Sequence, residues 1–370
     1  MEPSRPKTVG IKEIAKALGI SIGTVDRALH NRKRVDAKTK AMVLKMAEQL
    51  QYRPNLAARS LKLNRRLRIA AYLPTEIASF FDELRAGIRD AASSLTGLKL
   101  DLDFRTFPRL GEGDAQLVEQ ALEERYDGIL ITPGDPATLE PIMRRIAASG
   151  TAVICVASDA PRSGRLTAVC VDAVASGGIA AELLGKTIHR ESFVATITGN
   201  RSTYDHSEKL CGFAAGLASL APHLTLLPTI ETHERPEEAY RASLDLLNRN
   251  PRLSGLYVST ANSIPVLKAL KEKELIGKIA VITTDLFPEL ATLLDSGGVL
   301  ATLYQRPFAQ GRFALETLVR YLVDGSRPQP LIHLAPHIIL RSNLHLFNSQ
   351  VVGNLGREVD EPIFDQHDRR

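Results

Sequence analysis

The chain has 370 residues, of which 44% are hydrophobic and 24% charged, and only 3 are Cys. No apolar run approaches the roughly 18 residues of a membrane span, and the N-terminus lacks the apolar core of a signal peptide. This composition argues against a membrane-spanning or disulfide-stapled secreted protein, and we expect a soluble, cytoplasmic one.

Charge is distributed unevenly along the chain. Residues 1–68 contain 17 Lys and Arg against 5 Asp and Glu, a net of +12, whereas the whole chain carries +5 and the remainder therefore −7. A run such as Arg32–Arg34 is by itself typical of a solvated turn. A small domain holding the whole basic excess instead indicates contact with nucleic-acid phosphates.

The first predicted element is a short amphipathic helix. Ile11, Ile14, Ala15 and Leu18 recur at helical spacing. Gly19 follows as a left-handed residue that ends the helix.

A second helix is predicted directly after it. Ser21 is suited to cap its first turn, and Val25 and Leu29 follow on one face. Two short helices so close together predict a helix-turn-helix, whose second helix enters the major groove of DNA. The candidate base readers are Ile22, Gly23, Asp26 and Arg27.

A third helix is expected to close this small bundle and to stop before Pro54. Asp36 is its predicted cap. The predicted core face consists of Val43, Leu44, Met46, Ala47 and Leu50.

This segment resembles the lactose-repressor (LacI/GalR) family of bacterial transcriptional regulators. The family pattern is A-x-x-x-G-[VI]-S, T-V-x-R, V-[SD]-x-x-T and Y-x-P-N-x-x-A-R-x-L. It is matched here by Ala15, Gly19, Ile20, Ser21, Thr24, Val25, Arg27, Val35, Asp36, Thr39, Tyr52, Pro54, Asn55, Ala58, Arg59 and Leu61.

The resemblance implies specific DNA contacts. It assigns phosphate contacts to Ser21, Thr24 and Asn55, base contacts to Ile22, Gly23 and Arg27, and further DNA-binding positions to Asn31, Tyr52 and Ala58. Asp26 replaces the usual Ser and either accepts from a cytosine amino group or pairs with a neighbouring basic side chain.

A hinge follows the helix-turn-helix. Residues 55–63 are too few and too polar for a stable isolated helix. The resemblance implies that two copies of this hinge pair in the minor groove of an operator and that Leu61 wedges open a base step, which requires a homodimer. The alternative is that Leu61 is an ordinary core residue between domains.

Beyond Arg68, strands alternate with helical segments. This alternation predicts parallel α/β sheets, and the length predicts two lobes with a ligand in the crevice between them. The predicted strands are 69–73, 128–132, 152–156, 168–171, 193–198, 255–258 and 279–283.

This part of the chain is similar to the periplasmic sugar-binding fold of the ribose-binding type, which the repressor family uses as its effector domain. The resemblance implies an α/β, two-lobed periplasmic-binding-protein-like domain that takes a small sugar-like effector. The implied effector-binding residues are Phe80, Phe81, Asp159, Arg165, His206, Lys209, Asn262, Asp285 and Gln305, and Arg306 could also reach the cleft.

Several of these residues have a purely structural alternative. Phe80 and Phe81 could belong to the core, and Asp285 and Asn262 could cap helices. His206 could be an ordinary surface histidine. The joint pattern of polar residues after successive strands favours the ligand site.

Other chemistry is weakly represented in the sequence. Cys155, Cys170 and Cys211 are scattered in a pattern that fits buried thiols of a reducing compartment. No metal, cofactor or catalytic motif is recognised, so neither a cofactor nor an enzyme is expected. A periplasmic solute-binding protein and a sugar-processing enzyme are the rival functions. The first would need an export signal and would have no use for the basic module, and the second would require a general base or nucleophile with a partner.

The sequence therefore predicts a DNA-binding regulator, a repressor of carbohydrate utilisation genes controlled by a sugar-like effector. An activator or a non-sugar ligand remains the alternative. The expected domains are 1–53 for the helix-turn-helix, 54–67 for the hinge and linker, 68–346 for the two lobes with exchanges near 172, 303 and 335, and 347–370 for a poorly ordered tail.

Overall fold

The computed structural model describes residues 10–29, 35–50, 66–95 and 97–347. Its N-terminal part contains three helices, which are α1 (Ile11–Leu18), α2 (Ile22–Leu29) and α3 (Ala37–Gln49). Ile14, Val25 and Val43, one from each helix, are fully buried together. The apolar periodicity of the sequence therefore does produce a three-helix core.

The next part of the chain builds a first set of strands and helices. They are β1 (Arg66–Pro74), α4 (Ala78–Ser94), β2 (Lys99–Phe107), α5 (Asp114–Glu119), α6 (Ala121–Glu124), β3 (Gly128–Ile131), α7 (Pro136–Ala148), β4 (Ala152–Val156) and β5 (Thr167–Val171).

A second set follows. It comprises α8 (Ala173–Thr187), β6 (Ser192–Thr198), α9 (Tyr204–Leu220), β7 (Leu224–Leu226), β8 (Ile230–Glu231), α10 (Pro236–Arg249), β9 (Leu253–Val258), α11 (Ile264–Glu272), β10 (Ala280–Thr284), α12 (Pro288–Asp295), β11 (Ala301–Tyr304), α13 (Pro307–Asp324), β12 (Leu331–Leu334) and β13 (His337–Ile339).

These elements form two sheets, one in each lobe. The sheet of the N-lobe has the order β12-β5-β4-β3-β1-β2, and the sheet of the C-lobe has the order β13-β11-β10-β9-β6-β7, with β8 also paired to β6. All pairings are parallel except that of β13 with β11. Strands β3, β4 and β5 are buried along their whole length because helices cover both faces of the sheet.

The chain passes between the lobes three times. The first passage follows β5, since α8 packs on α9 in the C-lobe; the second lies between β11 and α13, since α13 packs on α4 in the N-lobe. The third joins β12 to β13. Every predicted strand overlaps an observed one, but the sequence did not predict β2, β7, β8, β11, β12 and β13. The longest of these, β2, was missed because its K-L-D-L-D-F alternation belongs to a half-exposed edge strand.

Candidate DNA-binding helix and interlobe ligand site

The helix-turn-helix is held by local capping contacts. Glu13 accepts from the backbone N–H of Gly10 at 2.8 Å, and this hydrogen bond lowers the pKa of the Glu13 carboxyl. Gly19 ends α1 with φ +65°, the left-handed conformation predicted for it. Ser21 Oγ accepts from the N–H of Thr24 at 3.0 Å, which confirms the predicted cap of α2.

The outer face of α2 carries the candidate base readers. Ile22 is 49% exposed, an unusual position for a large apolar side chain, and Gly23 and Arg27 are exposed as well. Thr24 Oγ1 lies 2.9 Å from Ser21 Oγ and accepts from Arg27 at 3.4 Å. Asp26 is half-buried on the same helix.

The third helix begins as predicted but uses a narrower core face. Asp36 accepts from the N–H of Thr39 at 2.9 Å, and this bond lowers the pKa of its carboxyl. Leu44 was expected in the core and is 46% exposed. It lies one residue beyond the buried Val43, which rotates it about 100° away from the core face.

The other DNA-binding positions that the resemblance implied are Asn31, Tyr52, Asn55, Ala58 and Leu61, and they lie outside the described residues.

A cavity of about 40 Å³ lies between the two lobes, at the carboxyl ends of their strands. Its N-lobe wall is formed by Ile77, Phe80, Phe81, Leu110, Thr132, Ala157 and Ser158. Its C-lobe wall is formed by Thr203, Asp205, His206, Lys209, Glu234, Thr260, Ala261 and Gln305. Thus one wall is largely apolar and the other is rich in charged groups.

Phe80 and Phe81 belong to both the core and the cavity. Their rings meet edge to face with centroids 5.0 Å apart, and both pack into the hydrophobic core of the N-lobe. They also line the cleft. The two readings that the sequence left open are therefore compatible.

The C-lobe wall is organised around a buried lysine. Lys209 Nζ lies 2.6 Å from Asp205 Oδ2, one helical turn earlier on α9, and donates to Gln305 Oε1 at 2.7 Å. Gln305 in turn donates from its Nε2 to Asp285 Oδ2 at 2.7 Å and from its backbone N–H to Asp285 Oδ1 at 2.9 Å. Since Lys209 is 1% exposed, these contacts replace all of its hydration.

Asp285 stands behind Gln305 rather than on the cavity surface. It adopts a left-handed backbone with φ +65°, and burial raises the pKa of its carboxyl to about 6 against the opposing effect of its hydrogen bonds from Gln305. The N-cap of α12 is Phe287, so Asp285 does not cap that helix. It orients Gln305 towards Lys209.

A second buried pair joins His206 and Glu234. Their Nε2 and Oε1 atoms lie 3.4 Å apart, and the Thr260 hydroxyl donates to the Glu234 carboxylate at 2.7 Å. His206 is 6% exposed. It is therefore part of the cleft wall and not a surface residue.

Of the nine expected effector residues, four are absent from the cavity lining, namely Asp285, described above, and Asp159, Arg165 and Asn262. Asp159 and Arg165 form a buried ion pair with each other, and Arg165 also donates to the carbonyl of Pro330 at 2.7 Å. Asn262 lies in the turn before α11, whose N-cap is Ser263. Arg306, which we also expected near the cleft, is the N-cap of α13 and is absent from the cavity lining.

The cleft also contains polar residues that the sequence analysis missed. They are Thr132, Ser158, Thr203, Asp205, Glu234 and Thr260. Asp205 carried a detectable signal, since it lies four residues before Lys209 in a helical segment. Glu234 carried none, because the two-residue strand β8 before it is too short to recognise.

Direct hydrogen bonds join the two lobes beside the cavity. Thr203 Oγ1 of the C-lobe donates to the carbonyl of Gly134 in the N-lobe at 2.7 Å, and Tyr304 donates to Glu83 at 2.7 Å. The remaining space accommodates little more than a few waters. A ring-sized ligand therefore requires the lobes to move apart.

Two other kinds of feature are absent from residues 10–29, 35–50, 66–95 and 97–347. Within them no group of three His, Cys, Asp or Glu side chains could hold a metal ion. No helix among them is both long and apolar enough to cross a membrane. Cys155 and Cys170 are buried, but Cys211 is exposed, contrary to expectation, because it lies on the outer face of α9.

Both parts of the chain match known protein families. Residues 10–55 match the model of bacterial regulatory proteins of the lacI family, and residues 69–326 match that of the periplasmic binding protein domain. The chain belongs to the lacI family. Its two lobes form the periplasmic-binding-protein domain of a DNA-binding transcriptional regulator, as predicted.

Transcriptional regulators of this family align with nearly the whole length of this chain. The HTH-type transcriptional repressor PurR of Aliivibrio fischeri is 25% identical over 90% of this chain and 98% of its own length. Catabolite control protein A of Priestia megaterium is 22% identical over 90% and 97%.

Solved structures show the same two-lobed fold. A solute binding protein from Burkholderia graminis in complex with D-arabinose is 25% identical, with a TM-score of 0.69 over 75% of this chain and 96% of that one. GanP, a glucose-galactose binding protein from Geobacillus stearothermophilus, is 21% identical, with a TM-score of 0.70 over 76% and 99%.

Proposed function

We propose that this lacI-family member is a cytoplasmic homodimeric repressor of carbohydrate utilisation genes whose operator affinity is set by a small sugar-like ligand in the interlobe cleft. The observation that carries the proposal is the buried Lys209 network, which faces the two phenylalanine rings across the cavity. Aromatic rings suit the C–H face of a sugar ring, and the polar wall suits its hydroxyls.

Unsatisfied polar atoms support a polar ligand. Thr132 Oγ1 on the N-lobe wall and Asp205 Oδ1 on the C-lobe wall are buried and lack a hydrogen-bond partner within the described part of the chain. A buried polar atom without a hydrogen-bond partner costs stability. A ligand that forms hydrogen bonds with both walls removes this cost, and its binding is strengthened accordingly. Such a ligand would stabilise one relative position of the lobes.

The coupling to DNA is modest in energetic terms. A 100-fold change in operator affinity needs about 2.7 kcal/mol of differential ligand binding between two lobe arrangements, which a few hydrogen bonds supply. The hinge would transmit it because two hinge copies pair only at the right separation.

The experiment combines a ligand screen with a DNA-binding assay. Monosaccharides are screened by thermal shift, and each hit is tested for its effect on binding to an operator selected from random DNA. Asp285→Ala should abolish the ligand response and leave ligand-free operator binding intact. The matched control is Asp295→Ala, which removes an exposed carboxylate from the same lobe.

Each outcome distinguishes the alternatives. A response that survives in Asp285→Ala at the same ligand concentration would show that ligand binding needs neither Asp285 nor the position of Gln305 that it holds. Tighter operator binding with ligand would indicate a corepressor, stimulated transcription an activator, and turnover of a hit an enzyme. A monomer in sedimentation at operator-binding concentrations would contradict the homodimer.

Arg27 offers a separate test of the DNA-binding face. If Arg27, which is exposed on α2, reads a base as we propose, Arg27→Ala should cost about 1 to 3 kcal/mol on the operator and little on random DNA. Lys62→Ala should weaken both complexes alike through lost charge. Equal losses on both DNAs for Arg27→Ala would show that Arg27 contacts only phosphate.

A further inference from the structure

The turn Thr232–Arg235 holds a carboxylate inside the cleft by means of an unfavourable backbone. His233 and Glu234 have φ values of +50° and +56°, a region that residues other than glycine seldom adopt. The end of β6 fixes the turn, since the N–H groups of Thr232 and His233 donate to the carbonyls of Thr198 at 3.0 Å and Gly199 at 2.8 Å. Glu234 is thereby directed inward and is 2% exposed.

Gly199 leaves the space that this carboxylate occupies. A Cβ at position 199 would lie 1.8 Å from Glu234 Oε1 and 2.8 Å from His206 Cε1. Any side chain there would displace the Glu234 carboxylate. The strained backbone at Glu234 and the absence of a side chain at Gly199 are therefore both needed to hold the Glu234 carboxylate in the cleft.

The Glu234 carboxylate is not neutralised by the cation of the cleft. Lys209 contacts Asp205, which balances its charge. Glu234 accepts instead from the Thr260 hydroxyl and lies beside His206. His206 Nδ1 lies 3.1 Å from the backbone nitrogen and 3.0 Å from the carbonyl oxygen of Asn200, so this ring nitrogen is engaged with the backbone and faces away from Glu234.

The cavity surface thus offers a ligand an excess of acceptors and of negative charge. Among the lining residues, Asp205 and Glu234 are acids, whereas Lys209 is the lone Lys or Arg in this set. Asp205 Oδ1 is buried without a hydrogen-bond partner among the described residues, and a carboxylate oxygen can only accept a hydrogen bond. Hydroxyl and amine groups donate, whereas carboxylates and phosphates only accept.

We propose that Glu234 makes the cleft select against anionic ligands, so that it takes a neutral polyhydroxylated ring or an amine-bearing one and rejects sugar acids and sugar phosphates. This inference rests on the proposed function and narrows its ligand class. An anion brought next to a buried carboxylate meets like-charge repulsion that water screens poorly, and we expect a penalty of about tenfold or more in affinity.

The test uses the full chain and matched ligand sets. Binding is measured by calorimetry for D-glucose, D-glucosamine, D-glucuronate and D-glucose 6-phosphate, and for the corresponding members of the D-galactose and D-mannose sets. In at least one set the neutral or amino member should bind, with its acid and phosphate at least about tenfold weaker. This comparison needs no variant.

Substitution of Glu234 then identifies the cause. Glu234→Gln should keep binding of the neutral sugar within severalfold and reduce the discrimination against its acid about tenfold. Glu238→Gln is the matched control, because its exposed carboxylate pairs with His233 and Arg235 outside the cleft. It should retain the full discrimination.

Two results would overturn the inference in different ways. If an acid or phosphate binds as tightly as its neutral parent, or Glu234→Gln discriminates as the unsubstituted chain does, charge selection by Glu234 is wrong while a ligand-dependent operator response still supports the proposed function. If no member of any set binds, both the selection and the sugar-responsive function fail.

Discussion

The two lobes share one sheet topology but present opposite chemistry to the cleft. In each lobe the first two strands lie at one side of the sheet and the later strands follow in order on the other. Yet the N-lobe contributes Phe80 and Phe81 at its strand ends, and the C-lobe contributes Asp205, Lys209 and Glu234. The sheet fixes where the segments after its strands meet, and the side chains in the first two turns of α4 and α9 and in the turn after β8 decide what they bind.

The two walls of the cleft are also stabilised in different ways. The N-lobe wall depends on packing, in which each side chain contributes through its own buried area. The C-lobe wall depends on pairs, in which the loss of one member leaves a buried charge behind. Substitutions should therefore be costlier and more pH-dependent in the C-lobe wall.

The largest expected effect is that of Lys209→Ala. It leaves the Asp205 carboxylate buried without its cation and should lower the free energy of unfolding by about 3 to 5 kcal/mol, measured by urea denaturation. Lys186→Ala is the matched control, because Lys186 also lies 2.6 Å from an acid four residues earlier, Glu182, but on the surface. It should cost less than about 1 kcal/mol.

A double substitution checks the interpretation. Asp205→Leu combined with Lys209→Met removes both charges and should recover much of the lost stability. Similar costs for Lys209→Ala and Lys186→Ala would contradict the view that the C-lobe wall depends on buried pairing.

The next effect is a pH dependence of stability that arises from Asp285 in the C-lobe. The raised pKa of Asp285, about 6 against an ordinary 3.8, means that the folded chain binds a proton more tightly than the unfolded chain. The stability contributed by the protonated carboxyl is therefore present below about pH 4 and lost as pH rises to about 6, a change of roughly 3 kcal/mol.

Asp285→Asn should remove this decline. The measurement is the free energy of unfolding by urea at intervals between pH 4 and pH 6.5, compared with the unsubstituted chain. An identical slope in both proteins would mean that another group titrates in that range.

The smallest effect is expected in the N-lobe wall. Phe81→Leu keeps an apolar side chain of similar volume and should cost about 1 kcal/mol of stability at any pH, while weakening ligand binding through loss of the ring face. Phe313→Leu, against the same hydrophobic core but away from the cavity, should cost about as much stability and leave ligand affinity unchanged. Equal ligand affinities for the two variants would place Phe81 in the core only.

The sequence predicted most of what depends on periodicity. Most of the buried parallel strands are continuous apolar runs, and the helices of the DNA-binding module repeat their apolar residues at fixed spacing, so both are visible without tertiary information. The buried strand β11 is an exception, because its four-residue A-T-L-Y run was too short and too mixed to be predicted. The edge strand β2 and the two-residue strand β8 lack such a run. They follow from pairing with neighbours that the sequence does not identify.

The cleft was only partly predictable for a related reason. Polar residues after a strand are placed near the cleft, as Lys209 and Gln305 are, but the rule does not say which of them pair with each other. Asp159 and Arg165 also follow a strand, but they form an ion pair with each other and do not line the cavity. Glu234 reaches the cavity through a strained turn whose conformation only the hydrogen bonds to β6 reveal.

The passage of the chain back into the N-lobe also bears on synthesis at the ribosome. Helix α13, which covers α4, and strand β12, which pairs with β5, come from residues 307–334, after almost the whole C-lobe. After β5 is made, the edge of β5 and the apolar face of α4 therefore stay exposed to solvent while about 160 further residues are translated. The C-lobe is contiguous from α8 to β11 and lacks only its edge strand β13, so it can form most of its sheet before the N-lobe is completed, although it is made second.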